Sequence, residues 1–165
     1  MVADQFHAVG PGDGEAIWFL QTLMTVKASG AESGGAFSLI EVQYPPAFSP
    51  PRHIHHHEDE CFYVLEGEAT FECGGHRWLA SAGAFVVLPR GIEHGFTIGG
   101  TSTRMLQMSS APGLERFFRD AGRPALTREL PPTAPPDVAR LMTAAQTYGL
   151  TILGTGPAEG SATPE

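Results

Sequence analysis

The chain has 165 residues, 42% of them hydrophobic, which is enough for one well-buried core and too little for two ordinary domains. Eighteen acidic residues against ten basic ones give a formal charge of -8, with Lys27 the single lysine and the arginines scattered. Such a surface repels phosphate backbones and anionic membranes, so nucleic acid and lipid headgroups are excluded as partners and a small molecule is the expected ligand.

The opening residues Met1 to His7 show no leader pattern, and no apolar run reaches bilayer length, so a cytoplasmic protein is expected. Short runs rich in aromatic and β-branched residues then cover 16–28, 36–44, 60–66, 68–73, 76–80, 84–88, 92–99 and 103–109. Turn formers separate them, and the connections are too short for crossover helices, which predicts an all-β, antiparallel sandwich or barrel over about 16–110. Glu66-Gly67 and Gly74-Gly75 read as tight turns. If residues 61 and 73 flank one hairpin, their side chains point to different faces, so Cys61 and Cys73 are expected as reduced thiols.

After Met108 the pattern changes. Pro112 to Gly122 carries apolar residues at 114, 117, 118 and 121, and Pro136 to Gly149 carries Val138, Leu141, Met142 and Ala145 on one face. The period, the leading prolines and the closing glycines predict two short helices over about 112–150, packed outside the β core as a lid or brace. The tail 154–165 is small and polar and is expected to be mobile. Together these read as a single domain spanning 1–165.

One stretch carries chemistry. In an extended segment His53 and His55 face the same way, about 7 Å apart along the strand. Residues 56–59 turn the chain over, Glu60 opens the next run, and His94 sits in a later strand-like segment. Three imidazoles and one carboxylate suit a single divalent transition metal (Fe, Ni, Cu, Co, Mn and Zn all being compatible) and leave two positions open on an octahedral ion. A structural zinc site is more often closed, tetrahedral and cysteine-bearing, so His53, His55, Glu60 and His94 read as a working centre. A rival register through His55 and His57 leaves only two residues before Glu60. His56 and His57 are therefore read as solvent-facing or mouth residues, or as assistants to the centre. Sharing the donors' parity, Phe62, Val64, Phe96 and Ile98, with Met108 from a later strand, are the expected substrate-binding wall of an apolar pocket. Tyr63 has the opposite parity and is expected in the second sheet or at a subunit contact, while Glu58 and Asp59 read as solvated.

The spacing His-x-His-x4-Glu-x6-Gly from His53 to Gly67, followed by Gly83-x5-Pro89-x-Gly91-x2-His94, resembles the two motifs of the cupin superfamily. Two positions depart from that pattern: Ala47 stands where the first motif often starts with glycine, and Ile98 where the second often has asparagine. Neither is a metal ligand. The resemblance implies a double-stranded β-helix, or jelly-roll barrel, with the two C-terminal helices added. Gly35 to Glu41, Phe62 to Gly67 and Tyr148 to Gly154 look like the quercetin 2,3-dioxygenase-type group within it. That likeness implies a metal-dependent dioxygenase acting with dioxygen on a hydrophobic aromatic or enol substrate such as a flavonol, with Glu60 as both ligand and catalytic base; a homodimer is expected because pairing through exposed strand edges is the usual way such barrels hide them. A non-oxidative isomerase, lyase or cyclase using the same ligands is the alternative. A barrel that binds a small molecule without turnover is the third reading.

Overall fold

The computed structural model describes residues 6–154, so the tail expectation lies outside the described residues from position 155 onward. Two antiparallel sheets face each other. The first strands, β1 (Glu15–Phe19) and β2 (Thr22–Ala28), form a hairpin. β3 (Ser38–Tyr44) and β4 (Arg52–His55) follow, then β5 (Glu60–Glu66), β6 (Glu68–Cys73), β7 (His76–Ser81), β8 (Phe85–Leu88), β9 (His94–Ile98) and β10 (Thr103–Ser109). Helix α1 (Leu114–Ala121), the two-residue β11 (Arg123–Pro124), helix α2 (Val138–Tyr148) and β12 (Leu150–Gly154) complete the described chain. One sheet has the order β11-β1-β2-β3-β10-β5-β8 and the other β12-β4-β9-β6-β7, which is a jelly roll.

Alternation dictates which side chains fill the space between the sheets. In β3 the residues Ser38, Ile40, Val42 and Tyr44 are buried while their neighbours are only half-buried, and β10 alternates in the same way through Thr103, Met105, Gln107 and Ser109. Ile40, Val42, Phe62, Val64, Ala69, Phe71, Phe96, Ile98 and Met105 form the centre of one hydrophobic core.

Three features differ from expectation. The run 16–28 is two strands, because Leu20 adopts a positive φ of 53° and the chain reverses there, with Thr22 Oγ1 donating to Phe19 O at 2.7 Å. The turn at Gly67 does not close a hairpin: β5 belongs to one sheet and β6 to the other, and Gly67, at φ 79°, is where the chain crosses between them. Cys61 and Cys73 therefore sit in different sheets, and both are free thiols. A last strand, β12, pairs with β4, which the sequence left between helix and tail. By contrast, Gly74 and Gly75 form the expected two-residue hairpin, both with positive φ, joining β6 to β7.

Both expected helices form. Leu114, Phe117 and Phe118 of α1 are buried, and Phe117 and Phe118 pack edge-on against Phe19. In α2 the Asp137 carboxylate accepts the Arg140 N–H, and Gly149 ends the helix in the left-handed conformation. Its buried face is Leu141, Ala144 and Ala145, whereas Val138 and Met142 are exposed. No helix among the described residues is long and apolar enough to cross a membrane.

Candidate metal centre

Strand pairing assembles the site. His53 of β4 lies directly opposite His94 of β9 in one sheet, and Glu60, the first residue of β5, faces them from the other sheet. One donor atom from each of His53, His55, Glu60 and His94 lies within 4.8 Å of the others, a buried group able to hold one metal ion. Glu60 Oε2 is 3.5 Å from His94 Nε2 and 4.0 Å from His53 Nε2, while Glu60 Oε1 is 3.7 Å from His55 Nε2. The side chains of Glu60, His55 and His94 are almost wholly buried, and His53 keeps 12% of its side chain exposed.

The far nitrogen of each ring is anchored. His53 Nδ1 donates to Pro51 O at 2.7 Å, His94 Nδ1 to Ile92 O at 2.9 Å, and His55 Nδ1 contacts Glu58 Oε1 at 2.5 Å. With the Nδ1 protons held outward, each Nε2 lone pair is turned to the middle of the cluster, the arrangement that metal-binding imidazoles require. His94 Nε2 is buried with no hydrogen-bond partner, so an acceptor lone pair stands unsatisfied where an ion would sit. The donor set and this orphan atom fit a divalent transition metal.

Charge follows the same geometry. Burial pushes the pKa of His53 down to about 4, so its imidazole is neutral and ready to ligate. Burial also opposes charge on His55, but Glu60 and Glu58 beside it outweigh that and raise its pKa. For Glu60 burial alone favours the neutral acid, yet the surrounding imidazoles, His55 first, hold it down to about 2 as a carboxylate.

A cavity with about 60 Å³ of room for water-sized groups opens from this cluster. Its walls include Phe48, Phe96, Leu114, Phe117, Phe118 and Leu141, with His53, His55, Glu60 and Gln107 as the polar end. Of the expected wall residues, Phe96 lines this cavity. Phe62, Val64 and Ile98 are inward-facing as their parity required, but they lie in the packed core rather than on the wall. Met108 is on the other face of β10, since Met105, Gln107 and Ser109 take the buried positions.

Four residues went unnoticed as site residues. Gln107 donates to Glu60 Oε1 at 2.5 Å. Glu58, read as solvated, is 7% exposed and anchors His55. Tyr44 and Phe48 stand in the cavity wall, packed against Phe96 at 5.4 and 6.4 Å between ring centroids. His56 and His57 are exposed and outside the cluster, His56 contacting Thr151 Oγ1 at 2.8 Å. Asp59 and Arg90 form a two-pronged ion pair, both prongs at 3.0 Å, and Arg90 also reaches His57 O, bracing the turn that delivers Glu60.

Residues 40–108 match the family described as a cupin domain. The chain is 26% identical over 128 residues to a quercetin 2,3-dioxygenase of Bacillus subtilis (strain 168), a match covering 78% of this chain and 38% of that protein's length. Among solved structures it is similar to the polyketide cyclase RemF from Streptomyces resistomycificus, with 25% identity and a TM-score of 0.56 over 78% of this chain and 83% of that one. KdgF from Halomonas sp., 15% identical with a TM-score of 0.58 over 67% of this chain and 99% of that one, shares the fold. Two facing sheets, a buried three-histidine, one-glutamate cluster between them and these likenesses agree: residues 40–108 match the cupin domain family, and the chain resembles the quercetin 2,3-dioxygenase group.

Proposed function

We propose that this chain is a metal-dependent dioxygenase of the quercetinase-like kind, acting on a hydrophobic aromatic or enol substrate, with His53, His55, Glu60 and His94 as ligands of one divalent transition metal. The observation that carries this reading is the four-donor cluster set at the polar end of an otherwise apolar, aromatic-walled cavity. The likeness to a quercetin 2,3-dioxygenase supports it. Bound there, the metal supplies Lewis acidity toward a substrate oxygen and a site at which dioxygen is engaged.

The residues do the rest. Phe96, Tyr44 and Phe48 offer ring faces and edges to a flat substrate, with Phe62, Val64 and Ile98 packed behind them to keep that wall rigid. Leu114, Phe117, Phe118 and Leu141 close the other side and exclude water. Glu60, ionised and 3% exposed, is the base that takes the enol or phenol proton. The single-domain organisation over 1–165, the cytoplasmic setting with its two free thiols, and a homodimer are parts of the same proposal. The dimer contact is placed on edge strands β7 and β8, where Trp78, Leu79, Phe85 and Val87 are at least half exposed.

The test is metal analysis of the isolated protein followed by oxygen-uptake assays on flavonols and related phenols, with anaerobic controls. We expect about one metal per chain and oxygen consumption coupled to substrate loss. His94→Ala and Glu60→Ala should keep the fold by circular dichroism while losing metal and turnover, and normal metal content in both variants overturns the ligand assignment.

A second reading, a non-oxidative cyclase, isomerase or lyase, is favoured by the likeness to the polyketide cyclase along four fifths of its length. Product formation that continues without oxygen selects it over the first.

A further inference from the structure

Gln107 is a polar side chain in an apolar neighbourhood. It is 4% exposed, its strand neighbours across the sheet are Ile40 and Phe62, and Met105 precedes it on the same face. Burying an amide among such residues is unfavourable unless it is paired. Its Nε2 donates to Glu60 Oε1 at 2.5 Å. An ionised carboxylate only accepts, so the amide presents its NH2 end, and the bond is charge-assisted.

That contact makes the two oxygens of Glu60 unequal. Oε1 is held by Gln107 and stands 3.7 Å from His55 Nε2. Oε2 carries no such bond and stands 3.5 and 4.0 Å from the Nε2 atoms of His94 and His53. We infer that Gln107 is a positioning residue: by clamping Oε1 it fixes the turn of the Glu60 carboxylate and keeps Oε2, the oxygen that faces His94 and His53, as the one that takes the substrate's proton. This rests on the metal-dependent reading above.

In the proton transfer the substrate O–H bond breaks, its electron pair stays on the substrate oxygen, and a new O–H bond forms at Oε2. The Gln107 N–H remains on Oε1 throughout, so the carboxyl group does not rotate when it becomes neutral and the proton stays where it can be returned. Without the clamp the Glu60 carboxylate would be free to turn and to offer either oxygen, or both, to a bound metal.

The experiment loads the wild type and Gln107→Leu with cobalt(II) and records the visible ligand-field spectrum and binding stoichiometry. Steady-state kinetics follow on whichever flavonol or phenol the wild type turns over. Gln107→Leu should still bind one cobalt per chain, with a changed spectrum, and its kcat should fall about 10–100-fold with KM nearly unchanged. Gln107→Met, closer in length, takes its place if the leucine variant does not fold. Superimposable spectra and equal kcat in the variant overturn the role of Gln107 alone. A wild type that takes up no cobalt overturns the metal-dependent reading and this role with it.

Discussion

The three imidazoles are anchored in two different ways. His53 and His94 lean on backbone carbonyls two residues upstream, which no substitution removes, whereas His55 leans on the carboxylate of Glu58. Glu58→Gln should therefore weaken metal binding about 10–100-fold, read by titration calorimetry, while leaving the other two rings in place; an affinity equal to wild type removes the carboxylate from the centre. The metal-free protein should also respond to acid through His53. Its pKa in the fold is about 4 against an ordinary 6.5, so the neutral ring stabilises the fold above pH 6.5 and that contribution, about 3 kcal/mol, is lost as pH falls toward 4. His55, whose pKa is raised, acts in the opposite sense and above that window. Melting curves of metal-free wild type and His53→Gln between pH 7 and 4 check this, and parallel slopes count against it. The four donors were legible in the sequence because strand alternation alone puts His53 and His55 on one face and a four-residue turn brings Glu60 back. Glu58 was not legible, since it lies in a polar run beside Asp59 and only the fold decides that one is buried and the other paired with Arg90 at the surface. Gln107 was hidden among Met105, Leu106 and Met108, where apolar residues of both parities leave the inward face ambiguous.

Strands were easier to read than their partners. Alternation in β3 and β10 and the paired glycines before β7 announced themselves, and so did both helices with their closing glycines. The hairpin between β1 and β2 did not, because Leu20-Gln21 contains no residue that favours a positive φ. Gly67 announced a turn but not its kind. A Cβ there overlaps Thr103 Oγ1 and meets Ser102 O at 2.8 Å, on a backbone at φ 79°, so glycine is required both for the conformation and for the close approach where the chain passes from one sheet to the other. Gly67→Ala should cost about 2 kcal/mol or more of stability, measured by denaturant unfolding, and a loss under half a kilocalorie shows that the crossing relaxes freely.

Apolar surface concentrates where both sheets end. β8 is the last strand of one sheet and β7 of the other, and Trp78, Leu79, Phe85 and Val87 stand on them. If that end is the dimer contact, Trp78→Ser with Phe85→Ser should shift the sedimentation coefficient from dimer to monomer with the metal content unchanged; a wild type already monomeric at micromolar concentration defeats the assignment. The cavity shows a different division. The donors His53, His55 and Glu60 at its polar end come from the stretch 40–108, as do Tyr44, Phe48 and Phe96 of its wall, but Phe19, Leu20 and Met24 reach it from the hairpin before that stretch, and Leu114, Phe117, Phe118 and Leu141 from the helices after it. The donors are thus written in one passage of the gene, and the wall around them in three. A chimera that keeps residues 40–108 and borrows its flanks from a relative should change which compounds are accepted without re-engineering the centre that transforms them.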